Sequence, residues 1–323
     1  MNSLSLLASV LVAVCAMLPA VAGNTPAPAL TSADVNAAAK PAETSYTAYL
    51  MAYFGPEEKL FYAYSRDARH WTSLNDGKPV LDPGVRLRDP FFNRVNGKFH
   101  LVHTVAWDTT QICHWESTDL IHWKGGPIQV VPAEQKRAWA PEFVYSPKEK
   151  LFYVFWASEF KGRNVIHYVT TKDWSDITPD RAAIYYDLGI DDIDLDIVEH
   201  DGTYYAFHKP GTVDDMMNNL LLTSRSLNPK IESFAKGTNG RDVLPGATKP
   251  IEGPEVVKLI GEDRWYVYGD PFHSPMEAWE TTDFVTFTKI DVATPERSKH
   301  CSMMPITEAE LKTLTTAYPS PRH

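Results

Sequence analysis

SRDARHW (65–71), STDLIHW (117–123), TKDWSDI (171–177) and TTDFVTF (281–287) share one pattern: Ser or Thr, any residue, Asp, then an aromatic or apolar position. SRSLNPK (224–230) is a degenerate further copy, with Ser226 where the others have Asp. With Asp67, Asp119, Asp173, Ser226 and Asp283 as markers, the gaps are 52, 54, 53 and 57 residues. A second series runs through DPFF (89–92), PEFV (141–144), DLDIV (194–198) and GPEVV (253–257), with gaps of 52, 53 and 59. Two interleaved series of the same period mark a repeat architecture.

The segments between the markers are β-type. FHLVHTVAW (99–107), LFYVFWAS (151–158), TYYAFHK (203–209) and RWYVYGD (264–270) are rich in aromatic and β-branched residues and bounded by turn residues. Asn96-Gly97 and Asp201-Gly202 are hairpin turns. Each repeat therefore reads as an inner strand, a hairpin, second and third strands, the Ser/Thr-x-Asp turn and an outer strand. Five such sheets set radially make an all-β, five-bladed β-propeller. A sandwich would place turns every ~8–12 residues without the longer period. TEAELKTL (307–314) has a helical pattern and is expected to cap the end.

Outward from the repeats, the first 23 of the 323 residues carry no charge, are mostly apolar from Leu4, and end in Ala20-Val21-Ala22. They read as a signal peptide, 1–23, which implies a secreted or periplasmic protein. Residues 24–45, rich in Ala, Pro and Thr, read as a flexible linker before a propeller domain over 46–323. No later apolar run is long enough to span a membrane. The net charge of −10 argues against nucleic acid as a partner, which would need clustered Lys and Arg. With 9 Trp, 15 Tyr and 14 Phe, the chain has aromatic faces to spare for a carbohydrate ligand. Of 3 Cys, Cys15 leaves with the signal peptide; Cys113 and Cys301 form either one bridge or two buried thiols.

A propeller presents its ligand site where the innermost strands begin. Asp89, Glu142, Asp194 with Asp196, Glu252 and His300 fall at those starts, so four of five blades offer a carboxylate there. Carboxylates converging on one axis repel, and at least one pKa must rise. Two carboxylates flanking a glycosidic bond are the requirement for its hydrolysis; a hard cation is the competing use, and turn chemistry the structural one.

YSRDARHW, RDPFF with NGKFHL, STDLIHW, WAPEF, DIDLDIV with DGTYYAF, IEGPEV with RWYVYGD, and KHCSMMPIT resemble, in this order, glycoside hydrolase family 43. The resemblance runs from about Tyr49 to Leu314. It implies an inverting glycosidase in which Asp89 is the general base, Glu252 the general acid and Asp194 the residue that orients the acid and keeps its pKa high. His300 matches the histidine that begins the family's last blade, near an axial cation or water cluster. A structural Ca2+ near His300 is thus the one metal suggested, and no cofactor is required. Trp107, Trp139 and His300 are candidates for substrate contact, and Glu142 is assigned to structure. Leu195-Asp196 and Lys299-His300-Cys301 depart from the family's usual residues, which bears on substrate preference. The implied activity is exo-hydrolysis of terminal arabinofuranosyl or xylosyl residues. The alternatives are a non-catalytic carbohydrate-binding propeller and a related propeller hydrolase acting on galactofuranosides or fructans.

Overall fold

The computed structural model describes residues 44–133, 135–211, 220–234, 243–248, 250–272 and 274–320. The expected signal peptide, and the linker up to residue 43, lie outside the described residues. Among the described residues no helix is long and apolar enough to cross a membrane.

The strands form five antiparallel sheets, each running from an inner strand outward. Blade 2 contains Arg88–Val95, Lys98–Thr104, Gln111–Ser117 and Lys124–Gln129. Blade 3 contains Trp139–Ser146, Leu151–Phe160, Arg163–Thr171 and Ala183–Tyr186. Blade 4 contains Asp192–His200, Thr203–Pro210 and Leu220–Ser224, and blade 5 contains Glu252–Lys258, Trp265–Asp270, Glu277–Thr281 and Thr288–Ile290. Blade 1 joins the two ends of the domain: Lys299–Thr307 is its inner strand, followed by Tyr46–Phe54, Leu60–Ser65 and Thr72–Ser73. The inner strands contact one another in cyclic order, closing the five-bladed β-propeller. His300 therefore begins a strand that completes the first blade.

The repeated turn has a physical basis. Asp119 Oδ1 accepts from the backbone N–H groups of Ile121 and His122 and from the Ser117 hydroxyl, at 2.8–3.0 Å. Asp67 and Asp283 do the same in blades 1 and 5. The residue after each Asp, namely Ala68, Leu120, Trp174 and Phe284, has φ of 53–68°. The carboxylate thus offsets a left-handed backbone turn that few side chains adopt unaided. In blade 4, where Ser226 replaces Asp, no outer strand follows among the described residues.

Five apolar clusters lie between neighbouring blades and account for most of the aromatic excess. Trp156, Trp265 and Trp279 are fully buried in them, whereas Trp107 is 56% exposed. The helix Glu308–Ala317 starts at a capping box, with Thr307 and Glu310 each binding the other's backbone N–H, and buries Leu311 and Leu314 between blades 1 and 2. Cys113 and Cys301 are both free and buried.

Every inner strand carries one extra residue near its start. The pairings Arg88↔Thr104 and Phe91↔Val102 advance three residues on one strand against two on the other, and blades 1, 3, 4 and 5 repeat this. The bulged residues Asp89, Ala140, Asp194, Gly253 and His300 all have positive φ, from 29° to 55°. Such bulges re-aim side chains and gather beside functional sites.

This register corrects the expectation that the acids stand at one level. Asp89, Asp194 and His300 occupy the bulge position and Glu252 the position before it. Glu142 and Asp196 lie further along the strand, level with Phe91, Glu255 and Ser302. That second tier stitches blades together. Asp196 Oδ2 accepts from Val256 N at 2.7 Å, Glu255 from Met303 N, and Ser302 Oγ from Phe92 N at 3.2 Å. Each bond runs from one inner strand to the next, to an N–H that would otherwise be buried and unpaired. Asp196→Ala is expected to lower stability by about 1–3 kcal/mol, the cost of a stranded buried donor. Asp196→Asn, whose amide oxygen still accepts, should retain most of it; urea unfolding of both variants checks this.

Candidate active site

The bulges aim their side chains into a cavity of about 1020 Å3, lined among others by Asp89, Trp107, Trp139, Asp194, Glu252 and His300. The structure thus brings together all six of these sequence-predicted site residues. Glu142 does not line this cavity; it borders a small space beneath, with Asp89, Asp194 and His300.

His300 connects the acids. Its Nδ1 lies 2.7 Å from Asp89 Oδ1, while its Nε2 is 3.9 Å from Asp194 Oδ2 and 3.8 Å from Asp270 Oδ2. The other Asp89 oxygen accepts from the Thr104 hydroxyl at 2.7 Å, and that hydroxyl accepts from Ala140 N at 2.8 Å. Asp89 is therefore fixed at both oxygens, by His300 of blade 1 and by Thr104 of its own blade, which blade 3 anchors in turn through Ala140 N. Asp194 Oδ2 accepts from Gly253 N at 3.0 Å, which sets it beside Glu252. Gly253 has φ of 55°, and a Cβ there would lie 2.4 Å from His300 Cδ2, so glycine is what lets the imidazole pass. Lys299 donates to Asp270 Oδ1 at 2.7 Å, and Asp270 Oδ2 accepts from His300 N at 3.3 Å.

The two principal carboxyls titrate in opposite directions. Burial pushes Glu252 up to about 7; Asp194 and Asp270 push the same way, while His300 and Lys209 oppose them. Its Oε1 is buried with no hydrogen-bond partner among the described residues. Burial would also raise Asp89, but the hydrogen bond and charge of His300, aided by Arg88 and Thr104, hold it below the usual value. Burial disfavours the His300 cation, yet Asp194, Asp89 and Asp270 outweigh it and push the imidazole up to about 10. At neutral pH the site holds an ionised Asp89, a charged His300 and a Glu252 poised to give up a proton. The same environment raises Asp194, chiefly through burial.

Asp194, Glu252 and His300 also offer ligand atoms within 4.8 Å of one another, a spacing that suits a cation. A metal there would have to compete with the proton on His300.

Trp107 and Trp139 form one wall. Their rings are 4.7 Å apart at 47°, and the Trp139 indole N–H donates to Trp107 O at 2.7 Å. The Arg88 guanidinium lies 5.2 Å from the Phe54 ring and 5.5 Å from that of Trp107, and Arg137 lies 4.7 Å from Trp139. Trp139 is held by these contacts, while Trp107 keeps most of its surface open.

Two further residues escape sequence reasoning, and a third, Asp270, stands in the sequence as an acid without an assigned role. Thr104 ends an ordinary apolar strand and bears no signal. Lys209 is 0% exposed although it lies in the apolar run TYYAFHK, and a charge breaking such a run is a usable clue. Asp270, 1% exposed at the end of RWYVYGD, gives the same clue.

Residues 44–312 match the model of a family described as "Probable glycosyl hydrolase domain", related to glycoside hydrolase family 43. No curated protein matches the sequence. Among solved structures, a thermostable family-43 glycoside hydrolase is 21% identical with TM-score 0.50, over 65% of this chain and 73% of that one. The GH43_1 enzyme from Xanthomonas citri complexed with xylotriose is 15% identical with TM-score 0.52, over 67% of this chain and 76% of that one. The GH43B protein of the Bacteroides ovatus xyloglucan PUL is 20% identical with TM-score 0.50, over 67% of this chain but 43% of that one. At these identities the likeness is one of fold.

Proposed function

The chain belongs to this glycosyl hydrolase family related to family 43, and from that membership we propose that it is a secreted or periplasmic exo-glycosidase working with inversion of configuration. Its substrates in this reading are terminal arabinofuranosyl or xylosyl residues of oligosaccharides and polysaccharides. The observation that carries the proposal is the opposed titration of Glu252 and Asp89 in one cavity. Inverting hydrolysis needs one carboxyl that keeps its proton and one that has lost it.

Glu252 protonates the glycosidic oxygen as the bond to the anomeric carbon breaks. Asp89 takes a proton from the water that attacks that carbon from the opposite face. Asp194, hydrogen-bonded to Gly253 N, raises the Glu252 pKa and fixes the strand that carries it. His300 keeps Asp89 ionised and oriented. Trp107 supplies an open ring face for a sugar, braced by Trp139. No step in this scheme needs a metal or cofactor; a structural cation at His300 is compatible with it only where the imidazole gives up its proton.

The pH dependence follows from the sign of the two shifts. Glu252 acts only when protonated, so kcat/KM falls as pH rises through about 7. Asp89 acts only when ionised, and its depressed pKa, held down by His300, Arg88 and Thr104, moves the acidic limb below the usual carboxylate range. A pH–rate profile on aryl glycosides checks both limbs. The activity itself is tested on a panel of aryl α-L-arabinofuranosides, β-xylosides, galactofuranosides and fructofuranosides. Release from the first two is the expected result; binding of sugars without release from any of them would favour the non-catalytic reading.

A further inference from the structure

We propose that blade 2 carries a transition-metal site, separate from the catalytic cavity, built from His100, His114 and Glu116. The strands Lys98–Thr104 and Gln111–Ser117 pair antiparallel, with His100 opposite Glu116 and Val102 opposite His114. Residues two apart on a strand share a face, so the three ligand side chains project from the same side of the sheet. His100 Nδ1 lies 3.0 Å from His114 Nε2 and 3.8 Å from Glu116 Oε1, and all three ligand atoms fall within 4.8 Å of one another. Ligands held at ~2.0–2.1 Å around a tetrahedral ion stand roughly 3.4 Å apart. The two separations bracket that edge, so small side-chain movements admit an ion.

The surroundings suit such an ion. Lys98 donates to Glu116 Oε2 at 2.7 Å, leaving Oε1 directed at His100 and fixing the carboxylate as an outer-shell partner would. The Trp174 ring, from blade 3, stacks on His114 at 3.8 Å and 7°, and Phe143 and Phe152 flank His100. A cavity of about 630 Å3 opens onto His114, Glu116 and Trp174, giving an entry path and room for a water as fourth ligand. Two nitrogens and one oxygen at this spacing select Zn2+, or Cu2+ and Ni2+ by the usual affinity order, over Ca2+, which takes six to eight oxygens. None of the three ligands lines the catalytic cavity, so the ion would act on the contact between blades 2 and 3 and not on hydrolysis.

Calorimetric titration of the full chain with Zn2+ alone tests this. The expected result is one ion per chain, with binding abolished in His114→Gln and weakened at least about tenfold in Glu116→Gln, since loss of even an outer-shell partner costs roughly 10–100-fold. Glu116 is one-third exposed, so its variant should fold even where His114→Gln does not, and far-UV circular dichroism verifies both. His122→Gln, at the rim of the same cavity, should bind as the parent does. At equal Zn2+ concentration Tm should also rise more in the parent than in Glu116→Gln. Absence of Zn2+ uptake, or uptake unchanged in Glu116→Gln, or uptake lost in His122→Gln, would overturn the proposal.

Discussion

Glu252→Gln is expected to lower kcat/KM on substrates with poor leaving groups by roughly 10²–10⁴-fold, the range for loss of a general acid. The amide fills the same space and carries no transferable proton. The defect should shrink sharply on aryl glycosides whose phenol leaves as a stable anion, because such a leaving group needs no protonation. KM should change little, since the missing interaction develops only as the bond breaks. The alkaline limb near pH 7 should vanish with the carboxyl that causes it. Equal turnover of parent and variant on every substrate would remove Glu252 from the mechanism.

Asp89→Asn is expected to cost a comparable ~10²–10⁴-fold, but with a different signature. Water activation is needed whatever the leaving group, so the loss should be uniform across aryl and saccharide substrates. The acidic limb should disappear while the alkaline one stays. The substitution also removes a charge that holds the His300 proton, whose pKa is pushed up by Asp194, Asp89 and Asp270 together. The amide oxygen introduced by the substitution would still accept from Thr104, so the fold around the bulge should survive. Steady-state kinetics on two substrates of different leaving group separate this pattern from that of Glu252→Gln. A loss at position 89 that tracked leaving-group ability would reverse the assigned roles.

The propeller was legible in the sequence because the closing turn of each blade demands a fixed chemistry. A left-handed residue after Asp67, Asp119 and Asp283 is compensated by that Asp, so the motif recurs at the blade period. The inner-strand bulge was not legible, because its left-handed position is filled by Asp, Ala, Asp, Gly and His in turn. Without the bulge, Glu142 and Asp196 could not be told from Asp89 and Asp194, although one pair stitches or fills the axis and the other faces the cavity. Motif spacing carried the three acids, whose neighbours Arg88, Ile193 and Gly253 stay close in sequence. It could not carry Thr104, which looks like ordinary strand sequence, and it gave no role to Lys209 and Asp270, whose charges interrupt apolar second strands without showing what they face. The ion pair of His300 with Asp89 joins blades 1 and 2 across 211 residues, a distance at which only the closed ring supplies the contact.

In the proposed mechanism water attacks in one step, opposite the leaving group, with Asp89 as base. Proton NMR of the first-formed sugar, recorded on an aryl glycoside that the protein turns over before mutarotation intervenes, tests this most directly. Inversion is predicted: a β-xyloside should give α-xylose first, and an α-L-arabinofuranoside the β-furanose. Release of the same anomer as the substrate would rule out Asp89 as the base of a single displacement, since retention requires a covalent glycosyl intermediate on a carboxylate.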